Sequence, residues 1–332
     1  HHVLQNGRLV FDLGRLGALA GHDAGLDGFL AHYNWVNAVA VRKDGRVGVS
    51  GAQDGSLRVW DLERGTLLSD LYGHQDAVNA LAMSADGHRL VSAAADSSLL
   101  VWDLQTGQLA RRLDGHKSAI NDVALTKDGR RAVSASDDAT LKVWDLETGG
   151  LLRNLFGHKR RVNAVALAPD DMTAVSASRD HTLKVWDLNT GALRHDLVGH
   201  TDWVRAVALT GDGRRAVSAS QDRTLKVWDL DSGRLLLDLG GHENWVKAVA
   251  LTPDDRRAVS ASADHTLKVW DLDSSRRVHR LSGHQERVNA ITLTPDGRRV
   301  VTGSSDHPKK PHSVMKAPMP TPTQPPGTYT RP

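Results

Sequence analysis

The chain has 332 residues, 40% hydrophobic and 24% charged, a composition ordinary for a globular protein and a length that suits one large all-β domain or two smaller ones. No run of about 18 apolar residues occurs, which excludes a membrane-spanning helix, and Arg8, Asp12 and Arg15 interrupt the opening segment where a signal peptide would be apolar. The formal charge of +3 comes from the end of the chain: residues 307–332 hold Lys309, Lys310, Lys316 and Arg331 and no acid, which leaves 38 basic against 39 acidic residues before them.

A near-neutral body lacks the basic footprint that nucleic acid requires. Cysteine is absent, which excludes disulfides and cysteine-ligated metal and is compatible with the reducing cytoplasm, the expected location. The start at His1 rather than at methionine raises the expectation of a piece cut from a longer chain.

A strict repeat organises the rest. Gly-His recurs at His74, His116, His158, His200, His242 and His284, always 42 residues apart, and His32 keeps the register behind Ala31. Trp-Asp recurs with the same period at Trp60, Trp102, Trp144, Trp186, Trp228 and Trp270. Such a fixed period marks a repeat architecture.

In chain order, the segment 8–13 (RLVFDL) looks like the third strand of a cycle with Phe11 in the tryptophan position. Residues 14–22 look like a fourth strand, and 23–31 like an insertion. Six complete cycles follow from about 35 to 281. In the cycle that begins at His158, strands are predicted at 162–167, 173–178, 182–188 and 192–197, joined by short turns. Other cycles place Asp-Gly in the first of these turns, at Gly129, Gly213 and Gly297, a strong hairpin signal. No stretch carries a sustained helical period. Strands are predicted again at 287–293 and 298–306, after which Pro308 and Pro311 disfavour another. Residues 307–332, with eight of the eleven prolines, read as a disordered, Pro-rich basic tail.

This Gly-His, Asp, Trp-Asp cycle resembles the WD-repeat (WD40) family, in the style of its highly regular bacterial members, and the resemblance covers roughly residues 8–306. It implies an all-β, seven-bladed β-propeller of four-stranded antiparallel blades within 1–306. The seventh blade would be shared between 287–306 and 8–22, and would be the softest, because Phe11 lacks an indole N–H to join His284, Thr302 and Asp306. The family also implies a buried tetrad per blade, formed by the histidine, a Ser or Thr, the turn Asp and the Trp. Ser50, Ser92, Ser134, Ser176, Ser218, Ser260 and Thr302 keep a hydroxyl in every cycle, whereas the rival position becomes Ala52 and Ala94. The expected aspartates are Asp54, Asp96, Asp138, Asp180, Asp222 and Asp264.

The same geometry places on one rim the positions that vary between cycles. Three residues past each histidine stand Trp35, Ala77, Ala119, Arg161, Trp203, Trp245 and Arg287. Before each tetrad Asp stand Gln53, Ala95, Asp137, Arg179, Gln221, Ala263 and Ser305. Two residues past the first set, near the channel mouth, stand Asn37, Asn79, Asn121, Asn163, Arg205, Lys247 and Asn289.

The expected partner-binding residues are Trp35, Arg161, Arg179, Trp203, Arg205, Trp245, Lys247 and Arg287, since exposed Trp and Arg dominate binding hot spots. The three tryptophans either face a ligand or cap the adjacent loops. No nucleophile, phosphate-cradling or zinc motif occurs, and Ser, His and Asp repeat in every blade, so no catalytic, cofactor or metal site is expected. His181 and His265 offer only a remote metal possibility. The expected function is a non-catalytic scaffold or sensor that docks a protein or peptide, without nucleic acid or membrane, as a monomeric propeller. The alternative is a lectin-like propeller that stacks sugars on the tryptophans.

Overall fold

Short strands bounded by turn residues fold each cycle into a hairpin-linked antiparallel sheet, its four strands side by side in chain order. The computed structural model describes residue 32, residues 34–294, residue 297 and residues 299–304. Within them lie six four-stranded sheets, one two-stranded sheet and no helix. The blades run over 36–71, 78–114, 120–155, 162–198, 204–240 and 246–282, and the seventh supplies Val288–Leu293 and Val300–Ser304. Together with the seven repeats, this architecture is consistent with a seven-bladed propeller. The strands expected at 8–22 and the tail 307–332 lie outside the described residues.

Blade 4 shows why the sequence makes these strands. Val162–Leu167, Thr173–Ser178, Thr182–Asp187 and Leu193–Val198 fall within a residue or so of the expected spans. The second strand is buried along its whole length, and the third is buried between its end residues. They therefore read as continuous apolar runs instead of an alternation. The outer strand is mostly exposed, with Leu197 its one fully buried residue.

The core lies between blades. Val133, Ala135, Leu141, Val143 and Leu155 of blade 3 pack with Val162, Val165, Ala174, Trp186 and Leu188 of blade 4. Equivalent sets join blades 4 to 5 and 5 to 6. One cycle alone could not bury this surface, so stability comes from stacking neighbours. Blade 1 illustrates the point. Val39 on its first strand is exposed, while its equivalents in blades 3 and 4, Val123 and Val165, are buried.

On the side opposite the rim, most cycles turn through a left-handed glycine. Blades 4 and 6 carry Asp171 (φ +56°) and Asp255 (φ +57°) there instead. Each aspartate accepts a backbone N–H from the preceding blade, Lys127 to Asp171 at 3.0 Å and Gly211 to Asp255 at 2.7 Å. The unfavourable backbone angle is offset by a link between blades.

Candidate functional site on the variable rim

The constant part of each blade is a hydrogen-bonded chain. In blade 4 the Trp186 indole N–H donates to Ser176 Oγ at 2.8 Å, Ser176 lies 2.7 Å from His158 Nε2, and His158 Nδ1 lies 2.8 Å from Asp180. All members are satisfied if Ser176 donates to Nε2 and a neutral imidazole donates from Nδ1 to the carboxylate. Asp180 further accepts from the Lys159 backbone N–H and from Thr182 Oγ1. Burial would raise this carboxyl, but the His158 hydrogen bond, with the other donors, holds it well below the usual carboxylate range.

The expected residues form the same chain in blades 2, 3, 5 and 6. Blade 1 departs from the expectation. His32 stands 4.0 Å from Asp54, and Ser56 sits between them, 2.8 Å from His32 Nδ1 and 2.6 Å from Asp54. A serine at this place approaches the ring closely in blade 2 as well, with Ser98 Oγ 3.3 Å from His74. Thr140 and Thr224 stay at 3.5 and 3.4 Å. In blade 7, His284 meets Thr302 at 2.8 Å, while Phe11 and Asp306 lie outside the described residues.

The rival serine has a separate task. Ser136, Ser178 and Ser220 hold the carbonyls of Ala119, Arg161 and Trp203 on the rim. Backbone bonds also tie the two rim sets together, for example Arg179 N–H to Arg161 O and Gln221 N–H to Trp203 O, both at 2.9 Å. The buried network thus carries a rigid platform whose surface residues are free to differ.

Trp35 is 75% exposed and Trp245 38%, whereas Trp60, Trp102, Trp144, Trp186, Trp228 and Trp270 are all buried. Trp203 is half-buried, with the Arg179 guanidinium 4.4 Å from its ring centre and that of Arg205 at 5.3 Å. Arg287 stands 6.0 Å from the Trp245 ring. The structure thus joins Arg179, Trp203 and Arg205 in one cluster and sets Arg287 beside Trp245. Arg161 is engaged with Asp137 at 2.7 Å, and Trp35 stands on blade 1, apart from the blade 5 cluster.

The asparagines two residues past the first rim set proved structural. Asn37, Asn79, Asn121 and Asn163 each donate from Nδ2 to a carbonyl of the next blade's first strand, on Val78, Ile120, Val162 and Val204, at 2.7 to 3.1 Å. Sequence alignment of the cycles set them at one equivalent position but could not show a partner 41 residues away. Arg205 and Lys247 occupy this position in blades 5 and 6, and there the amide clamps stop.

Asp122 was overlooked in the sequence. It takes the place of Ala38, Ala80, Ala164, Ala206, Ala248 and Ala290 and accepts backbone N–H bonds from Val123 and, across the blade boundary, Val165, both at 2.9 Å. Burial pushes its carboxyl up to about 6 despite those two bonds. One acid among seven aligned positions was the available signal. His181 and His265 take left-handed turns after tetrad aspartates, and among the described residues no three His, Cys, Asp or Glu side chains come together to hold a metal.

Radially stacked four-stranded blades with a repeated Trp-Ser-His-Asp chain define a β-propeller of the WD-repeat type. The family pattern described as "WD domain, G-beta repeat" matches the chain seven times, over 26–61, 65–103, 107–145, 149–187, 191–229, 233–271 and 275–307, and the chain belongs to that family. The first match begins at residue 26, inside the stretch that the sequence reading set aside as an insertion. No curated protein sequence matches the chain significantly. Repeats of this family commonly build protein-interaction scaffolds and are generally non-catalytic.

Proposed function

We propose that this propeller is a non-catalytic docking or sensor module that seats a protein or peptide on its variable rim. The supporting observation is the contrast among the tryptophans. Every Trp-Asp indole is buried with its N–H satisfied in the scaffold, while Trp35 and Trp245 present large apolar surface to solvent on the rim. Rigid aromatic side chains beside guanidinium groups are the usual anchors of a protein interface. Stacking of sugars on three open indoles is less well supported, because Trp203 is half-buried and held by Arg179 and Arg205.

The test is capture of a partner by the full chain and by the triple variant Trp35→Ala/Trp203→Ala/Trp245→Ala, with the fold of both checked by circular dichroism. A partner retained by the parent and lost by the variant is the expected result. Identical capture by both, or displacement by simple sugars, would overturn the reading.

A further inference from the structure

Resting on that docking reading, we infer that the rim of blades 4 to 7 receives an extended acidic peptide segment, whose carboxylates lie along Arg179, Arg205, Lys247 and Arg287. Four observations support this. The first is how three of these cations are held. Arg179 donates to Asn163 Oδ1 at 3.2 Å, Arg205 to Gln221 with that amide turned to present its oxygen, and Lys247 to Asn289 Oδ1 at 2.6 Å. Each partner is a neutral amide, which positions the cation without cancelling its charge. Among the described residues no carboxylate lies within ion-pair distance of Arg179, Arg205, Lys247 or Arg287, whereas Arg161 has Asp137.

The second observation is electrostatic. Burial and neighbouring cations push Arg179, Arg205 and Lys247 below their ordinary pKa values, with Arg161 acting on Arg179, Arg179 on Arg205, and both Arg205 and Arg287 on Lys247. The acids that act on this arc are Asp137, on Arg179, and Asp202, on Arg205. Crowding like charges costs stability, and a bound anion would relieve it.

The third is the interruption of the amide clamps. Four blades use an asparagine to grip the next blade, and blades 5 and 6 give up that grip for a cation. The fourth is distribution. The cations come one from each of four successive blades, each acting on the next, so their complement is a row of anions along a chain and not a single group. The same rim positions in blades 1 to 3 hold Trp35, Ala77, Ala119, Gln53, Ala95, Asp137 and three asparagines, without a cation. The chain's own segment 307–332 bears four cations and no acid, so it offers no side-chain carboxylate for this arc.

The experiment measures fluorescence anisotropy of a labelled Glu-rich peptide with the full chain, beside a peptide of equal length in which Gln replaces Glu. The matched variant is Arg205→Asn/Lys247→Asn, which installs the residue that four blades already use. Thermal unfolding verifies its fold, and Lys247→Gln alone serves if the double variant does not fold. The expected result is selective binding of the Glu peptide that weakens as sodium chloride rises from about 0.05 to about 0.3 M. The double variant should lose about tenfold or more in affinity while its melting temperature holds or rises.

Equal binding of the Gln peptide, or undiminished binding by the variant, would overturn the inference, as would preferential displacement by a single-stranded oligonucleotide or by one isolated phosphopeptide group. If the Glu peptide fails while a captured partner still depends on the rim tryptophans, the acidic class falls and the docking reading stands. If partner capture is also indifferent to the tryptophans, both fall.

Discussion

The interior and the rim of this propeller are built from the same seven-fold repetition and obey opposite rules. Inside, a Trp, a Ser, a His and an Asp recur with bond lengths that differ by a few tenths of an ångström among blades 2 to 6. On the rim, a few residues away, tryptophan, alanine and arginine exchange freely at one position. The difference follows from solvation. A buried donor or acceptor left unpaired costs about 1–3 kcal/mol, so one change in the chain strands its neighbours, while a rim side chain can return to water.

The sharpest way to break this comparison is to make one substitution in both regions. Trp186→Ala opens a cavity between blades 3 and 4 and leaves Ser176 without its donor, at an expected cost of about 3–5 kcal/mol. Trp245→Ala on the rim should change stability by no more than about 0.5 kcal/mol. Urea unfolding of the two variants measures both. Similar losses would mean that the exposed tryptophan caps the blade instead of serving a partner.

A smaller effect separates two kinds of buried acid. Asp138, Asp180, Asp222 and Asp264 are held below the carboxylate range against burial by their histidine bonds. Their contribution is therefore present above the unfolded pKa and is lost as pH falls through the folded one. His74 and His242, lowered chiefly by burial, act in the same direction, since protonation at acid pH favours the unfolded chain. Asp122 runs the other way. With its carboxyl raised to about 6, its ionisation costs stability as pH climbs through that value. Asp122→Ala should raise the melting temperature at pH ~7.5 and give no gain at pH ~4. An equal gain at both would assign the effect to packing.

These contrasts also explain what could be read in advance. The strands of blade 4 were legible because Val162–Leu167 and Thr173–Ser178 are apolar runs with turn residues between them, and the tetrad serine was legible because Ser50 and Ser92 persist where Ala52 and Ala94 do not. What stayed hidden depends on contacts between cycles. Nothing within one 42-residue unit shows that Asn163 grips Val204 or that Arg179 lies over Trp203. Ser56 between His32 and Asp54 was likewise hidden, because it depends on how far a side chain reaches.

A modest effect is expected on the face away from the rim. Asp171→Gly removes a strained left-handed aspartate but also the acceptor of the Lys127 N–H. The link should outweigh the relief, with a net loss of about 1 kcal/mol in urea unfolding. A stabilised variant would show that the strain dominates.

The family repeats are out of phase with the blades. The match 65–103 begins with the outer strand Thr66–Leu71 of one blade and ends with the third strand Ser98–Asp103 of the next. Each genetic unit is thus a splice between two physical ones. Because six cycles keep the same 42-residue length, a crossover between any two of them inserts or deletes a whole number of blades in frame, with every tetrad and turn still in register. The architecture that locks the interior leaves blade number and rim chemistry open to recombination.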